Sequence, residues 1–532
     1  MFEGETMPVV TLYRRLQGRL PSWEPAPRAA LIRADAGPLQ AQRETLDVVC
    51  ALLGEADVPY FCVRPLPNRP PVIAVPEDDR TRALAALAAG RHPLFAARQP
   101  YGRQGARARQ ADAGRMRPVR RAAALLGDAK VVRLAMYFAS PSRTLTLGPE
   151  HGCDLEFWAR EGDELVAPRP NPACDRVPAD GPDVDGGEEL FTPLACAARR
   201  ARAYRTRPEF VRRLLDDIDF PIDVVYTWVD GADPAWRARR HQAERAEALR
   251  TGAAPSELAT TEARFTSRDE LRYSLRSLLM YAPWINRIWI VTDGQTPPWL
   301  DTTHPMVAVV DHKEIFTDPS VLPVFNSHAI ETQLHHIDGL SEHFLYFNDD
   351  FFLGRPLAPR TFFEGNGITR FFPSTVHVPF GVPETEESPV HAAGMNNRRI
   401  LENLTGRTIT QKLKHVPYAL RRSVMYELEG RFATEFTATA RSRFRTSRDI
   451  SVVSSLAHYY GYLSGRAVPG TVDYTYVDLS LPKTPVKLRR MLARRRHDVF
   501  CLNDTAPTTI EQDALLARFL EAYFPTPAPF ER

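Results

Sequence analysis

One pattern limits what this chain can fold into. A continuous run of β-branched and aromatic residues stops abruptly at an acid, four times between Ile222 and Asp350. Residues 222–229 stop at Asp230-Gly231-Ala232-Asp233-Pro234 and residues 288–292 at Asp293-Gly294. Residues 307–310 stop at Asp311-His312 and residues 344–347 at Asn348-Asp349-Asp350. Asp223 apart, each run is a nearly continuous apolar stretch rather than an alternating one, the signature of strands buried on both faces of a parallel sheet. Helical patterns separate them. A polar, Arg-rich stretch follows Pro234. Leu271, Leu275, Leu278 and Leu279 then fall at i, i+4, i+7 and i+8, one face of a helix. Ser267-Arg268-Asp269-Glu270 has the form of its capping box and Pro283 ends it. Residues 329–340 read as another helix. Alternation of this kind defines an α/β fold, a Rossmann-like and mostly parallel sheet with helices on both faces. Ligands of such sheets bind beyond the carboxyl ends of the strands. Asp230, Asp293, Asp311 and the Asp349-Asp350 pair are therefore expected at one edge.

A single Asp at a strand end is ordinary turn chemistry, but four in series, one of them a doublet, point to a site. Asn348-Asp349-Asp350 offers hard oxygens suited to Mg²⁺ or Mn²⁺ shared with substrate phosphates; a loop or helix cap is the alternative. His415, in Lys412-Leu413-Lys414-His415-Val416-Pro417-Tyr418, sits in too polar a context for a core histidine, and a neutral imidazole there can take a proton. Arg443, Arg445 and Arg448 precede Asp449, where guanidinium forks match phosphate oxygens or open a solvated helix. The stripe Val452, Val453, Leu456, Tyr459, Tyr460 and Leu463 reads as core. Asn503-Asp504, after residues 500–502, is a weaker strand-end signal.

The chain has 532 residues, too many for one ordinary domain. It changes character near residue 215. Upstream, residues 46–53 and 82–89 look helical and residues 72–75 look like a strand. Residues 144–147 and 154–158 are expected to pair, and residues 168–187 to form a linker or surface loop. Arg98, Arg103, Arg107, Arg109, Arg115, Arg117, Arg120 and Arg121 form a basic stretch, either a solvated loop or a contact for anionic polymer or headgroups. Net charge is only +3, from 68 basic and 65 acidic residues, which argues against a nucleic-acid partner. No apolar window is long enough to span a membrane, and residues 1–20 lack the form of a secretory signal. Six scattered Cys without a C-x-x-C pair read as buried, reduced thiols of a cytoplasmic protein, with a structural zinc site the alternative.

Taken together, the motifs closely resemble the Stealth family, the hexose-1-phosphate transferases of bacterial capsule synthesis and of the lysosomal-enzyme GlcNAc-1-phosphotransferase catalytic subunit. Residues 222–234 resemble its first block. Residues 264–352 resemble the second, through Arg268-Asp269-Glu270-Leu271, Val291-Thr292-Asp293-Gly294-Gln295, Phe325-Asn326-Ser327-His328-Ala329-Ile330-Glu331 and Asn348-Asp349-Asp350. Lys414-His415-Val416-Pro417-Tyr418 resembles the third and Phe500-Cys501-Leu502-Asn503-Asp504 the fourth. The resemblance implies transfer of a hexose-1-phosphate from a nucleotide-sugar, typically a UDP-hexose, to a glycan hydroxyl, with UMP released. It implies Asp349 and Asp350 as metal ligands, His415 as base, Arg445 as phosphate clamp and Asp230 as a donor or metal contact. Asn326, Ser327, Glu331, Asp293 and Arg268 would bind substrate, and Asn503 would close the site. Arg448 stands where some relatives carry an acid.

The resulting expectation is an N-terminal α+β region over residues 1–215 and a transferase domain over residues 216–532, with a helical part about 395–470. Partners would be a nucleotide-sugar donor and a glycan acceptor, with peripheral attachment to a membrane export complex a further option. A metal-dependent glycosyltransferase releasing UDP and a non-catalytic polysaccharide-binding protein are the competing readings.

Overall fold

Five strands build the sheet that the alternation calls for, in the order Val307–Asp311, Ile288–Thr292, Ile222–Thr227, His343–Asn348, Tyr418–Arg421. The computed structural model describes residues 29–67, 69–99, 116–195, 202–252, 260–384, 387–504 and 508–532. The first four strands are parallel; Tyr418–Arg421 closes the edge antiparallel to His343–Asn348. The α/β, mostly parallel class is thus the one observed. Register aligns the strand ends: Thr227 lies opposite Val291 and Asn348, and Thr292 opposite Asp311. All four acid-bearing ends consequently leave the sheet on one side. Val224, Val225, Ile290, Leu345 and Phe347 are fully buried, as strands covered on both faces require.

The helical expectations need three corrections. Residues 329–340 are not one helix: Ser327–Glu331 is a short α-helix, followed by a 3₁₀ turn at Leu334–His336. Thr332 interrupts it, its hydroxyl donating to the Ala329 carbonyl at 2.6 Å, and the chain then turns at Gly339 (φ +76°) toward the next strand. Ser267 and Glu270 form no capping box. The helix Glu270–Tyr281 starts behind Asp269, which is left-handed (φ 62°) and gives no side-chain cap, while Glu270 accepts from the Arg268 N–H and is buried. The part at 395–470 is mixed: helices Pro389–Thr405, Arg422–Arg431, Ala433–Ala440 and Ala457–Leu463 surround the edge strand Tyr418–Arg421. The apolar stripe after Asp449 is core, with Val452, Val453, Leu456 and Tyr460 buried.

Before residue 207 the chain forms its own mixed sheet, in which Cys153–Glu161 lies between Val72–Pro76 and Val131–Ala135. The helices Pro38–Glu55 and Arg80–Ala89 accompany it. Among the described residues, none of its strands pairs with a strand beyond residue 221. Thr146–Leu147 pairs with Phe138–Ala139 rather than with residues 154–158. The segment at 168–187 carries two strands, Arg176–Pro178 and Val184–Gly187, because its Pro and Gly leave paired stretches between turns. One continuous apolar core nevertheless joins both regions. Arg495 donates to the Thr144 carbonyl at 3.2 Å and Thr526 to that of Ala36 at 2.7 Å.

Of the basic stretch, Arg103, Arg107, Arg109 and Arg115 lie outside the described residues, and Arg98 pairs with Asp128. Cys50, Cys62, Cys153 and Cys501 are buried and free, and Cys174 is half-buried and free; Cys196 lies outside the described residues. Among the described residues no helix is long and apolar enough to cross a membrane.

Candidate active site

The acid doublet is held between two sheets. Strand His343–Asn348 delivers it, and the chain continues at once into Phe351–Leu353, which pairs antiparallel with Val499–Asn503. That pairing sets Phe351 opposite Cys501 and draws the last strand's side chains onto Asp350. Cys501 Sγ donates to Asp350 Oδ2 at 3.1 Å and Asn503 Nδ2 donates to the same oxygen at 2.7 Å. His415, on the turn before the edge strand, packs edge-to-face on Phe351 and brings Nε2 to 3.7 Å from that oxygen. The two acids consequently differ. Burial, Glu270 and Asp350 push the Asp349 carboxyl well above the usual range. Burial also raises Asp350, but His415, Cys501 and Asn503 hold it below that range.

The facing wall is basic and rests on an aromatic stack. Phe325 stacks on Phe444 (centroids 5.5 Å, 17°), and the Phe325 N–H donates to the Arg443 carbonyl at 2.7 Å. This ties the start of the Ser327–Glu331 helix to the segment carrying Arg445, which donates to Ser327 Oγ at 2.6 Å. Burial lowers the Arg445 guanidinium from its ordinary value, and burial together with Arg445 pushes Arg264 down to about 9. Glu331 faces them with its carboxyl pushed up to about 7 by burial, which Arg445 and the Tyr346 hydroxyl only partly oppose. Burial drives His328 down to about 4, so it is neutral.

Between these walls lies a cleft of about 680 Å³, within the range of small-molecule sites. His415, Arg445, Asp293, Ser327, Glu331, Arg268, Asn503, Asp349 and Asp350 all line it. Asp230 and Asn326 do not. Asp230 accepts from the Ala232 N–H at 2.8 Å, and Gln295 clamps its backbone through both amide atoms at 3.0 Å. Gly231 is needed there because a Cβ would lie 2.2 Å from the Phe265 carbonyl oxygen. Asn326 is buried as the cap of Ser327–Glu331 and donates to Asp449 at 2.8 Å. Asp311, the remaining strand-end acid, caps His312–Ile315 in a capping box with Glu314. Within the cleft, Asp293 is engaged by Arg239 and Arg268 by Asp504, each at 2.8 Å. Arg448 is exposed.

Sequence reasoning passed over Arg264, Glu270, His328, Lys412 and Tyr418, which also line the cleft. Glu270 was assigned to a cap; Arg264, His328 and Tyr418 lie inside the motif blocks without a residue-type signal of their own, and Lys412 lies just before the third block.

Three features fit a cation here. Asp350 Oδ1 is buried without a hydrogen-bond partner, three carboxylates (Glu270, Asp349, Asp350) crowd one corner, and their oxygens are hard donors.

The acidic mouth of the parallel sheet thus faces a wall carrying Arg264 and Arg445 across one cleft. The chain belongs to the Stealth family, and it is a transferase. Four family models match in order: Stealth conserved region 1 at residues 220–248, region 2 at 264–371, region 3 at 414–462 and region 4 at 490–532. An exopolysaccharide phosphotransferase of Streptomyces coelicolor is 44% identical over 98% of this chain and 89% of its own length. A second from that organism is 48% identical over 95% and 85%. Exopolysaccharide phosphotransferase CpsY of Mycobacterium tuberculosis is 37% identical over 95% and 91%.

Proposed function

We propose that this protein transfers a hexose-1-phosphate from a nucleotide-sugar, a UDP-hexose such as UDP-GlcNAc, to a hydroxyl of a glycan acceptor in exopolysaccharide or capsule synthesis. The observation that carries the reading is the meeting of Asp349-Asp350, His415 and Arg445 in one cleft, from three segments at least thirty residues apart on the chain. The relatives' names support phosphotransfer as the reaction. Residues 216–532 would form the transferase and residues 1–215 a separate unit for polymer or complex contacts, in the cytoplasm.

In this mechanism the acceptor oxygen attacks the phosphorus that bears the hexose. The bond from that phosphorus to the bridging oxygen breaks, UMP leaves and a phosphodiester remains. Such transfer needs positioning and charge neutralisation more than covalent help. His415 takes the acceptor proton, and Asp350, 3.7 Å from Nε2, stabilises the imidazolium that forms. Arg445 holds oxygens of the transferring phosphate, with Arg264 adding positive charge beside it. Ser327 fixes the Arg445 fork through its 2.6 Å bond, and Asn503 fixes Asp350. Asp349 and Asp350 would hold Mg²⁺ or Mn²⁺, which would neutralise the diphosphate. Glu331, Asp293 and Arg268 line the donor side.

The test is incubation with Mg²⁺, UDP-hexoses and a glycan acceptor, followed by identification of the released nucleotide. UMP with a phosphorus-31 phosphodiester signal is expected. UDP without phosphodiester would instead establish a glycosyltransferase, and donor binding without release of any nucleotide would favour the polysaccharide-binding reading.

A further inference from the structure

Away from the cleft, three side chains converge in a way that no step of the transfer uses. His335 and His336, on the 3₁₀ turn Leu334–His336, both point Nε2 at one oxygen of Glu429, at 2.9 and 3.0 Å. Glu429 comes from the helix Arg422–Arg431, and the three ligand atoms lie within 4.8 Å of one another. The His335 side chain is fully buried and that of His336 is 14% exposed.

The protons decide what this cluster is. His336 Nδ1 lies 3.0 Å from the Ile315 carbonyl oxygen, so that nitrogen must carry a hydrogen. Its Nε2, 3.0 Å from a carboxylate oxygen, then holds either a second proton or a metal ion. An Nδ1–H bound to a backbone carbonyl is the outer contact that fixes a metal-binding imidazole with Nε2 free to ligate. Two imidazoles and one carboxylate are a ligand set for zinc rather than magnesium. The turn is braced for it: Arg422 donates to the carbonyls of His335, Ile337 and Leu340. The cluster reaches solvent through Glu429, which also lines a small surface pocket with Thr317, Gln333 and Arg441, a pocket that neither histidine lines.

We propose that His335, His336 and Glu429 form a second, zinc-type metal site, separate from the acid doublet. The site cross-links two segments of the fold. Its histidines follow the Ser327–Glu331 helix, and its glutamate lies on the helix that follows the strand behind His415. A metal here would staple the donor wall to the His415 wall without touching substrate.

The test uses the full chain, stripped with chelator and dialysed against zinc in the presence of excess Mg²⁺. One retained zinc per chain is expected, lost in His336→Ala and in Glu429→Gln and kept in Cys501→Ser. Cobalt substitution gives a second readout: d–d bands of a nitrogen–oxygen site with no thiolate charge-transfer band. Circular dichroism checks that the variants are folded, and His336→Gln serves where His336→Ala is not. Absence of retained zinc in wild type overturns the site and leaves His336 as an imidazolium paired with Glu429. Zinc that survives in folded His336→Gln and Glu429→Gln, or that disappears with Cys501→Ser, overturns it in favour of the Asp350, His415 and Cys501 cluster.

Discussion

Two clusters of buried charge in this protein are treated in opposite ways. In the N-terminal sheet, Asp154 and Glu156 project from the central strand Cys153–Glu161 and are fully satisfied. Arg133 and Arg169 both bond Asp154, Arg169 also bonds Glu156, and the Trp158 indole N–H donates to Glu156 at 3.0 Å. Burial raises Asp154, yet the two guanidinium groups hold it below the usual carboxylate range. In the cleft the pairing is left incomplete. Asp350 Oδ1, Glu331 Oε2, Arg445 Nε and His328 Nδ1 are buried without hydrogen-bond partners. A buried polar atom without a partner costs about 1–3 kcal/mol. The first cluster is a closed network that specifies a sheet; the second leaves buried donors and acceptors unmet.

Removing one member from each cluster separates them most sharply. His415→Ala should lower turnover about 10²- to 10⁴-fold while leaving donor affinity and melting temperature near wild type, read by UMP release and calorimetry. Turnover at the wild-type rate on a real acceptor would remove the base from the mechanism. Arg169→Met should do the reverse. It leaves Asp154 and Glu156 short of a buried counter-charge and should cost about 3–5 kcal/mol of stability in denaturant titration. The remaining folded enzyme should turn over normally. A loss of activity without a loss of stability would join the two clusters.

Sequence legibility divided along the same line. The parallel strands and the acidic mouth could be read because uniform apolar runs and terminal acids repeat, and repetition survives without knowledge of packing. The doublet, His415 and Arg445 could be read because the motif blocks carry them. Asp230 and Asn326 share that motif status but serve the backbone, as a turn acceptor and a helix cap. Motif membership cannot tell a side chain aimed at the ligand from one aimed at its own loop; only the hydrogen-bond partner can. Glu270 failed in the opposite sense. A capping-box spacing hid a buried acid, because a left-handed Asp269 moved the helix start by two residues. The antiparallel edge strand was missed because Tyr418–Arg421 is too short to stand out between helices.

Glu331 sharpens the comparison through pH. Its carboxyl is pushed up to about 7 by burial, whereas it is near 4.5 in the unfolded chain. Between those values the unfolded state releases the proton and the folded state keeps it, so stability falls as pH rises and the penalty is complete above pH 7. At 1.36 kcal/mol per pH unit the penalty amounts to about 3 kcal/mol. Glu331→Gln should therefore match wild type below pH 4.5 and exceed it by up to that amount at pH 8, in metal-free denaturant titrations. Parallel curves for the two proteins would mean that Glu331 is already satisfied.

The smallest effect is the most diagnostic of a cleft held ready for a cation. Asp349 is pushed well above the ordinary carboxylate range by burial, Glu270 and Asp350, which favours its neutral form in the absence of a metal. Asn is nearly isosteric with that form, and Asp349→Asn should leave metal-free stability within about 0.5 kcal/mol of wild type. Bound Mg²⁺ changes the outcome. At a hundredfold excess over its dissociation constant it stabilises the wild-type fold by about 2.7 kcal/mol. That gain should vanish in Asp349→Asn, because the ligand that relieves three crowded carboxylates is gone. Asp350→Asn should also abolish it but should destabilise the metal-free protein by about 1–3 kcal/mol, since Cys501 and Asn503 both donate to Asp350 Oδ2. Two neighbouring acids, equal in sequence, would then be told apart without assaying turnover. One is expendable until the cation arrives, and the other is part of the fold at all times. A full Mg²⁺ shift in Asp349→Asn would return Asp349 to the same standing as Asp154, a buried acid whose charge the fold itself accommodates.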